Sequence, residues 1–341
     1  MSTITNYERM HAAVEFKKLD RVPVSPLLHY ASARYCGKKV SEYATDIKTM
    51  VDCSLYAYHR FGYDSVILGT DVALEGEAIG CKVEQPEDAP MYMKQPVIQS
   101  SSDLDRLEVP DPRKVGRMPL LLEAAKMCRK ELGKEGYLIA CANGPINNAG
   151  QFRGIMNLMM DSIDDPKFFE RILDYSLAVS VAFSRKLIEA GADMILSGEA
   201  LASPNFINPE IYRKYILPRQ MMWANEAKKA GAVSLMHICG DIHPILGDLK
   251  NANFDCLDID YKVDMSVARN ATGIAVRGNI DPASVLMLGT PADIDSAVKA
   301  IMEDAKEGGG LILGTGCDVS TETPEENIAA MVKAAHEYGQ Y

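Results

Sequence analysis

The sequence predicts an α/β protein built as a (β/α)8 TIM barrel, and three observations carry that expectation. Eight short apolar runs punctuate the chain, each bounded by turn-forming or polar residues, and most lead into a helical pattern. The runs are apolar throughout rather than alternating, which suits strands covered on both faces of a parallel sheet. The length of 341 residues holds eight strand–helix units, which take about 250 residues before insertions.

Taken in order, the chain opens with Thr5-x-x-Glu8, a capping box ahead of an amphipathic stretch through Met10, Val14 and Phe16. Residues 1–20 are therefore expected to form an N-terminal helical extension. The runs follow at 22–28, 65–70, 138–144, 193–197, 234–239, 256–261, 273–278 and 310–316. Between them, 166–190 places Phe169, Ile172, Leu173, Phe183 and Leu187 on one helical side, starting after Asp164-Asp165 and stopping at Gly191. Stretches 291–307 and 324–336 begin with proline, which suits the first turn of a helix. Surplus length falls in the N-terminal helix, after Tyr30, and in an insertion after the second strand. That insertion, 72–112, carries Glu75, Glu77, Glu84, Glu87 and Asp88 with Pro86 and Pro90, and is expected to cross the barrel mouth. A doubly wound sheet is the alternative, but it calls for a phosphate-gripping glycine loop after its first strand. Pro26-Leu-Leu-His-Tyr30 is no such loop. With no linker or internal repeat, residues 1–341 read as one barrel domain.

The formal net charge of −11 argues against nucleic acid as a main partner, because phosphate binding needs clustered Lys and Arg. No run is long enough to span a membrane and no signal-like segment opens the chain, so a cytoplasmic protein is expected. Its eight cysteines are then expected as reduced thiols, with a subset doing chemistry.

That subset is marked by His237-x-Cys239 at the end of one run and Cys317 at the end of the last. Residues two apart on a strand share a face, so the imidazole and thiol leave together. In a barrel, both sets arrive at the C-terminal ends of strands, where chemistry collects. One His and two Cys are a zinc ligand set with a fourth position open. Asp260 and Glu199 are candidates for that position. Two thiolates cancel the dication's charge, which suits binding and alkylating a thiolate better than activating water. Asp71, Asn147 and Glu199 are candidate substrate contacts, with Asn148 beside them, although each acid is equally suited to pairing with a cation or capping a helix. Packing alone is the alternative for the cysteines. His11, His29, His59 and His336 show no ligand spacing.

These residues, in this order, resemble the uroporphyrinogen decarboxylase superfamily. Its landmarks stand here as Gly144-Pro145, Gly278-Asn-Ile-Asp-Pro282, Leu313-Gly-Thr-Gly-Cys317 and Thr323-Pro-Glu-Glu-Asn327, spread over nearly the whole chain. The decarboxylase itself is poorly matched: its paired arginines correspond to Tyr30 and Arg34, its turn histidine to Thr315, and its pocket tyrosine falls near Gln151. Asp71 alone matches its aspartate. The better match is the branch of zinc methyltransferases acting on corrinoid proteins, marked by His-x-Cys and a distant Cys, with Asp260-Tyr-Lys-Val-Asp264 similar to an acidic stretch near its metal.

The resemblance implies transfer of a methyl group between a methylated corrinoid (cobalamin) on a separate corrinoid-binding protein and a small acceptor, a thiol such as coenzyme M. It implies zinc on His237, Cys239 and Cys317, with Asp260 as candidate fourth ligand. The alternatives are a demethylase taking methyl from an ether or methylamine, a decarboxylase, and a corrinoid-carrier binder without activity.

Overall fold

Residues 4–341 are described by a computed structural model. Four helices precede the first strand, and the strands then run in chain order β1 (Ser65–Leu68), β2 (Lys82–Glu84), β3 (Tyr92–Gln95), β4 (Tyr137–Asn143) and β5 (Met194–Gly198). The chain continues through β6 (Val233–Ile238), β7 (Cys256–Ile259), β8 (Ala275–Ile280) and β9 (Leu311–Thr315). Seven of these make one parallel sheet in the order β1-β4-β5-β6-β7-β8-β9, with helices between successive strands. The other two, β2 and β3, form an antiparallel hairpin inside the expected insertion.

The first expected strand, 22–28, departs from expectation. It makes a single parallel bridge, Val24 to Leu313, rather than a strand. Proline has no N–H to give a ladder, and this run contains Pro23 and Pro26. What remains is one-sided: Leu313 N donates to Pro23 O, and Ser25 N donates to Leu313 O. Towards the other edge, Asp64 N, just before β1, donates to Val24 O, and Val24 N donates to the Asp64 carboxylate at 2.7 Å. The sheet therefore curls until both of its outer strands flank this segment.

The N-terminal helix is also shorter than expected, running Asn6–Val14. Its capping box is present, with Thr5 Oγ1 accepting from Glu8 N and Glu8 accepting from Thr5 N. It ends because Phe16 turns left-handed at φ 55°, so that Phe16 N donates to Ala13 O and Lys17 N to Ala12 O. That is the bonding of a Schellman stop, made without glycine. Other helices lie where their patterns place them: Pro166–Glu189 starts on the Asp165 side chain, which accepts from Phe168 N, and Pro291–Ala305 and Glu325–Tyr338 follow.

Two layers of apolar packing position the site. Outside the sheet, helices bury the larger core. On its inner face, alternate strand residues Ile67, Ile139, Met194, Leu235, Cys256, Ala275 and Ile312 pack together. The short helix plugs this layer with Met10 and Ala13, and His11 meets Tyr137 at the start of β4 edge-on. One end of the sheet is thus sealed with apolar side chains. Moving two residues along β6, β7 and β8 exchanges that layer for His237, Asp258 and Arg277. No helix among the described residues is long and apolar enough to cross a membrane.

Candidate metal site and its cavity

The polar layer is set by strand register. His237 pairs with Asp258, and Asp258 with Arg277, across three adjacent strands. His237 Nδ1 stands 3.0 Å from Asp258 Oδ2, and Asp258 Oδ1 bonds Arg277 Nη1. Arg277 is wholly buried and also donates through Nε to Ser25 Oγ at 3.2 Å. Burial works against ionisation of Asp258, but Arg277 and then His237 outweigh it and hold the carboxyl below its usual range. The two atoms are close but not aligned as a hydrogen bond, so the buried carboxylate faces one ring nitrogen by charge and leaves the other for chemistry.

That other nitrogen faces the two cysteines. His237 Nε2 lies 3.1 Å from Cys239 Sγ, and Cys239 Sγ lies 3.8 Å from Cys317 Sγ. The three ligand atoms fall within 4.8 Å of one another, and among the described residues they form the one such cluster of His, Cys, Asp and Glu. The sulfurs are too far apart for a disulfide, which needs about 2.05 Å. Two sulfurs each about 2.3 Å from a tetrahedral ion would stand roughly 3.8 Å apart, so the donor set fits zinc. Without metal, the Cys317 thiol beside Cys239 lowers the latter to about 5, against burial and with help from His237. The same bond to Cys239, together with burial, pushes Cys317 up. Burial opposes protonation of His237, but Cys239 and Asp258 overcome it and raise the imidazole well above its usual value. These opposed shifts arise because three donor atoms are held close together, as a cation would require.

The turn after Cys239 depends on glycine. Gly240 has φ 86°, and a Cβ there would meet Asn205 Nδ2 at 2.7 Å. Its N–H donates to Asp260 Oδ2 at 2.7 Å, while Lys262 N donates to Asp260 Oδ1 at 3.1 Å. Both Asp260 oxygens are therefore engaged in holding loops, and Asp260 is not drawn into the cluster.

The trio opens into a cavity of about 340 Å³, walled by Leu27, Leu74, Met91 and Leu196 among other side chains. Asp71 and Asn147 line it, whereas Glu199 does not. Asp71 is held by Arg117 through two bonds of 2.8 and 3.0 Å and accepts from the Tyr30 hydroxyl. Asn147 Oδ1 accepts from Leu201 N. Glu199 is fully buried beneath Gly144 and accepts from Ile146 N at 3.3 Å, and burial raises it to about 8. Asn148 is buried against Ser180, away from the cavity.

Comparison with known proteins follows this geometry. Residues 5–338 match the uroporphyrinogen decarboxylase (URO-D) family model. The chain belongs to this family. Within it, the chain is 30% identical to "Methylcobamide:CoM methyltransferase MtaA" of Methanosarcina barkeri, with 99% of each protein covered. It is 28% identical to "Methylcobamide:CoM methyltransferase MtbA" of Methanosarcina acetivorans, again over 99% of both. A uroporphyrinogen decarboxylase of Coxiella burnetii is 23% identical over 97% of this chain and 95% of its own. The solved structure of a methyltransferase from Methanosarcina mazei superposes with a TM-score of 0.90 at 26% identity, covering 98% of this chain and 99% of that one.

Two groups of side chains in this family member escaped the sequence reading. Asp258 and Arg277 sit inside apolar runs, and a charge there was itself the signal, since a strand covered on both faces tolerates one only when paired. His29 was set aside for lack of ligand spacing, yet it lines the cavity with Cys141 at 3.2 Å. Its signal was position: it ends the first apolar run, as Cys239 and Cys317 end theirs.

Proposed function

We propose that this protein moves a methyl group between a corrinoid carried on a separate protein and a small thiol, with zinc held by His237, Cys239 and Cys317. The chain is a methyltransferase, and the site chemistry favours a soft, thiol-accepting centre over a hydrolytic one. The observation that carries the reading is the cluster itself: two sulfurs 3.8 Å apart with an imidazole nitrogen beside them. Relatives named for coenzyme M make that thiol the first acceptor to test.

Bound there, zinc supplies a Lewis acid that keeps an acceptor thiol deprotonated and nucleophilic. The protein's own groups do the rest. Asp258 aims the His237 ring, Arg277 keeps Asp258 ionised, and Asp260 fixes the turn that carries Cys239. Asp260, bonded to two backbone amides, stands outside the three-residue cluster, and a thiol acceptor would complete the donor set. Leu27, Leu74, Met91 and Leu196 exclude water along the approach, and Asp71 and Asn147 hold the wall. Displacement at a methyl carbon gains chiefly from holding the reactants about 3–3.5 Å apart, so a rigid, dry cavity is what the reaction needs.

The frame proposed for this site is a closed (β/α)8 barrel forming one domain over residues 1–341. Segment 22–28 would serve as the eighth stave, in keeping with its bonds towards β9 on one side and Asp64 on the other. The insertion would cover the mouth, in keeping with Pro90 and Met91 in the cavity wall. The test is anoxic incubation of zinc-loaded protein with methylcobalamin and coenzyme M, following the cob(I)alamin spectrum. Turnover that disappears in C239S and C317S is expected. Methylation of cob(I)alamin from an ether or amine, with no thiol turnover, would overturn the reading.

A further inference from the structure

The cavity has a second polar feature opposite in character to the cysteine cluster. His29 lies in its wall with Nε2 3.2 Å from Cys141 Sγ and Nδ1 3.6 Å from Asp318 Oδ1. The ring occupies a seat made for it: a Cβ on Gly69 would stand 2.7 Å from Nε2, so a larger residue there would expel the imidazole. The backbone is pinned as well, because His29 O accepts from Ser32 Oγ at 2.6 Å. Burial opposes its protonation, yet Cys141 and Asp318 overcome it and raise the ring to about 10.

The charges around it make this histidine singular. No lysine or arginine lines the cavity among the described residues, and the other histidine, His237, faces the cysteines. Asp71 is neutralised by Arg117. Glu75 accepts from Asn143 N and Nδ2, both at 2.8 Å, and burial raises it to about 7 despite those bonds. Asp318 is 41% exposed at its side chain, and 3.6 Å is long for a hydrogen bond, so it does not lock the ring. A compact anion in the cavity would therefore find one cation with a replaceable partner. Asp318 follows Cys317 directly in the chain, and neighbouring Cα atoms are about 3.8 Å apart. The cation thus lines the same cavity of about 340 Å³ as the cysteine cluster, within which only a small acceptor could reach both.

We propose that His29 determines acceptor specificity by binding an oxyanion at the non-reacting end of a short-chain thiol. This rests on the methyl-transfer reading above. His29 acts on binding of the acceptor, so its removal separates anionic from neutral thiols instead of slowing all of them alike.

The experiment compares 2-mercaptoethanesulfonate, 3-mercaptopropionate, 2-mercaptoethanol and 2-aminoethanethiol as acceptors of methyl from methylcobalamin, with zinc content measured for every variant. The two anionic thiols are expected to have the lowest KM. His29→Gln should raise their KM about 10- to 100-fold, the loss typical of one charged hydrogen bond, with a far smaller change for 2-mercaptoethanol. Independently of turnover, ligand-observed NMR should show ethanesulfonate binding to the wild type and not to His29→Gln. A wild-type preference for the neutral or cationic thiol, or an equal KM rise for all four in His29→Gln, overturns the role of His29. Absence of turnover with every thiol, while ethanesulfonate still binds, overturns the methyl-transfer reading and spares the anion site.

Discussion

His237 and Asp258 are register partners on adjacent strands, and the carboxylate stands 3.0 Å from the imidazole nitrogen that points away from the cysteines. The pair is locked from behind by Arg277, which has no exposure to water. Asp258→Asn should therefore weaken zinc binding about 10- to 100-fold while leaving all three ligands in place. Competition with a chromophoric chelator would measure it. Unchanged zinc affinity would show that Asp258 serves only to balance Arg277.

Arg277→Met should act differently, on folding. It leaves Asp258 buried with only His237 for company, and stranding a buried charge costs about 3–5 kcal/mol. Denaturant unfolding of the double variant Arg277→Met/Asp258→Leu should recover most of that loss, because both charges are gone. A double variant no better than the single one would contradict this.

How much of this was legible in the sequence depends on what each residue needs to be recognised. His237, Cys239 and Cys317 were readable because zinc chemistry names its ligands and strand period two puts them on one face. The helix 166–189 was readable because its apolar spacing, its Asp165 cap and its terminal glycine agree. Segment 22–28 has the composition of a strand, but Pro23 and Pro26 leave it a one-sided partner. The end of the first helix was hidden because Phe16 takes the left-handed position usually filled by glycine. Asp258 and Arg277 were invisible for another reason: their meaning lies in register between strands, which no single run contains. His29 and Asp318 are 289 residues apart, and only the curl of the sheet brings them together.

Glu75 gives a pH dependence with a definite sign. Burial raises its folded pKa from 4.5 to about 7, while the unfolded chain keeps the lower value. Between those limits the native state binds the extra proton, so stability is greatest below about pH 4.5 and falls as pH rises through 7. The full difference is roughly 3 kcal/mol from about 1.4 kcal/mol per unit. Relative to Glu75→Gln, the wild type should lose stability over pH 5 to 7.5 in thermal melts. Parallel pH curves for the two proteins would refute the assignment.

Gly240→Ala should damage the site through the backbone. A left-handed φ costs an L-residue about 1–2 kcal/mol, and here the new methyl also meets Asn205. Relief by rotating the turn would break the Gly240–Asp260 bond and displace Cys239. The expected result is lower stability together with weaker zinc binding, read by melting and chelator competition. Lost stability with wild-type zinc affinity would show that Cys239 is positioned without this turn.

Asp64 tests how the first segment is attached. Its buried carboxylate receives Arg9 at 2.8 Å, Arg21 at 2.7 and 2.8 Å, and the N–H of Val24 at 2.7 Å. The carboxylate thus stands where a neighbouring strand's carbonyl would otherwise accept from Val24. Arg9 retains Asp20 at 2.7 Å as a second partner, so removing Asp64 strands Arg21 and the Val24 amide more than it strands Arg9. Asp64→Ala should cost about 3–5 kcal/mol, as for other broken buried ion pairs. Hydrogen exchange should then quicken at Val24 first, because its bond is lost outright. Ser25 should follow more weakly, since its own N–H still donates to Leu313. Global destabilisation without local exchange at Val24 would mean that the segment is held by β9 and its apolar packing, and that Asp64 matters only to the arginines.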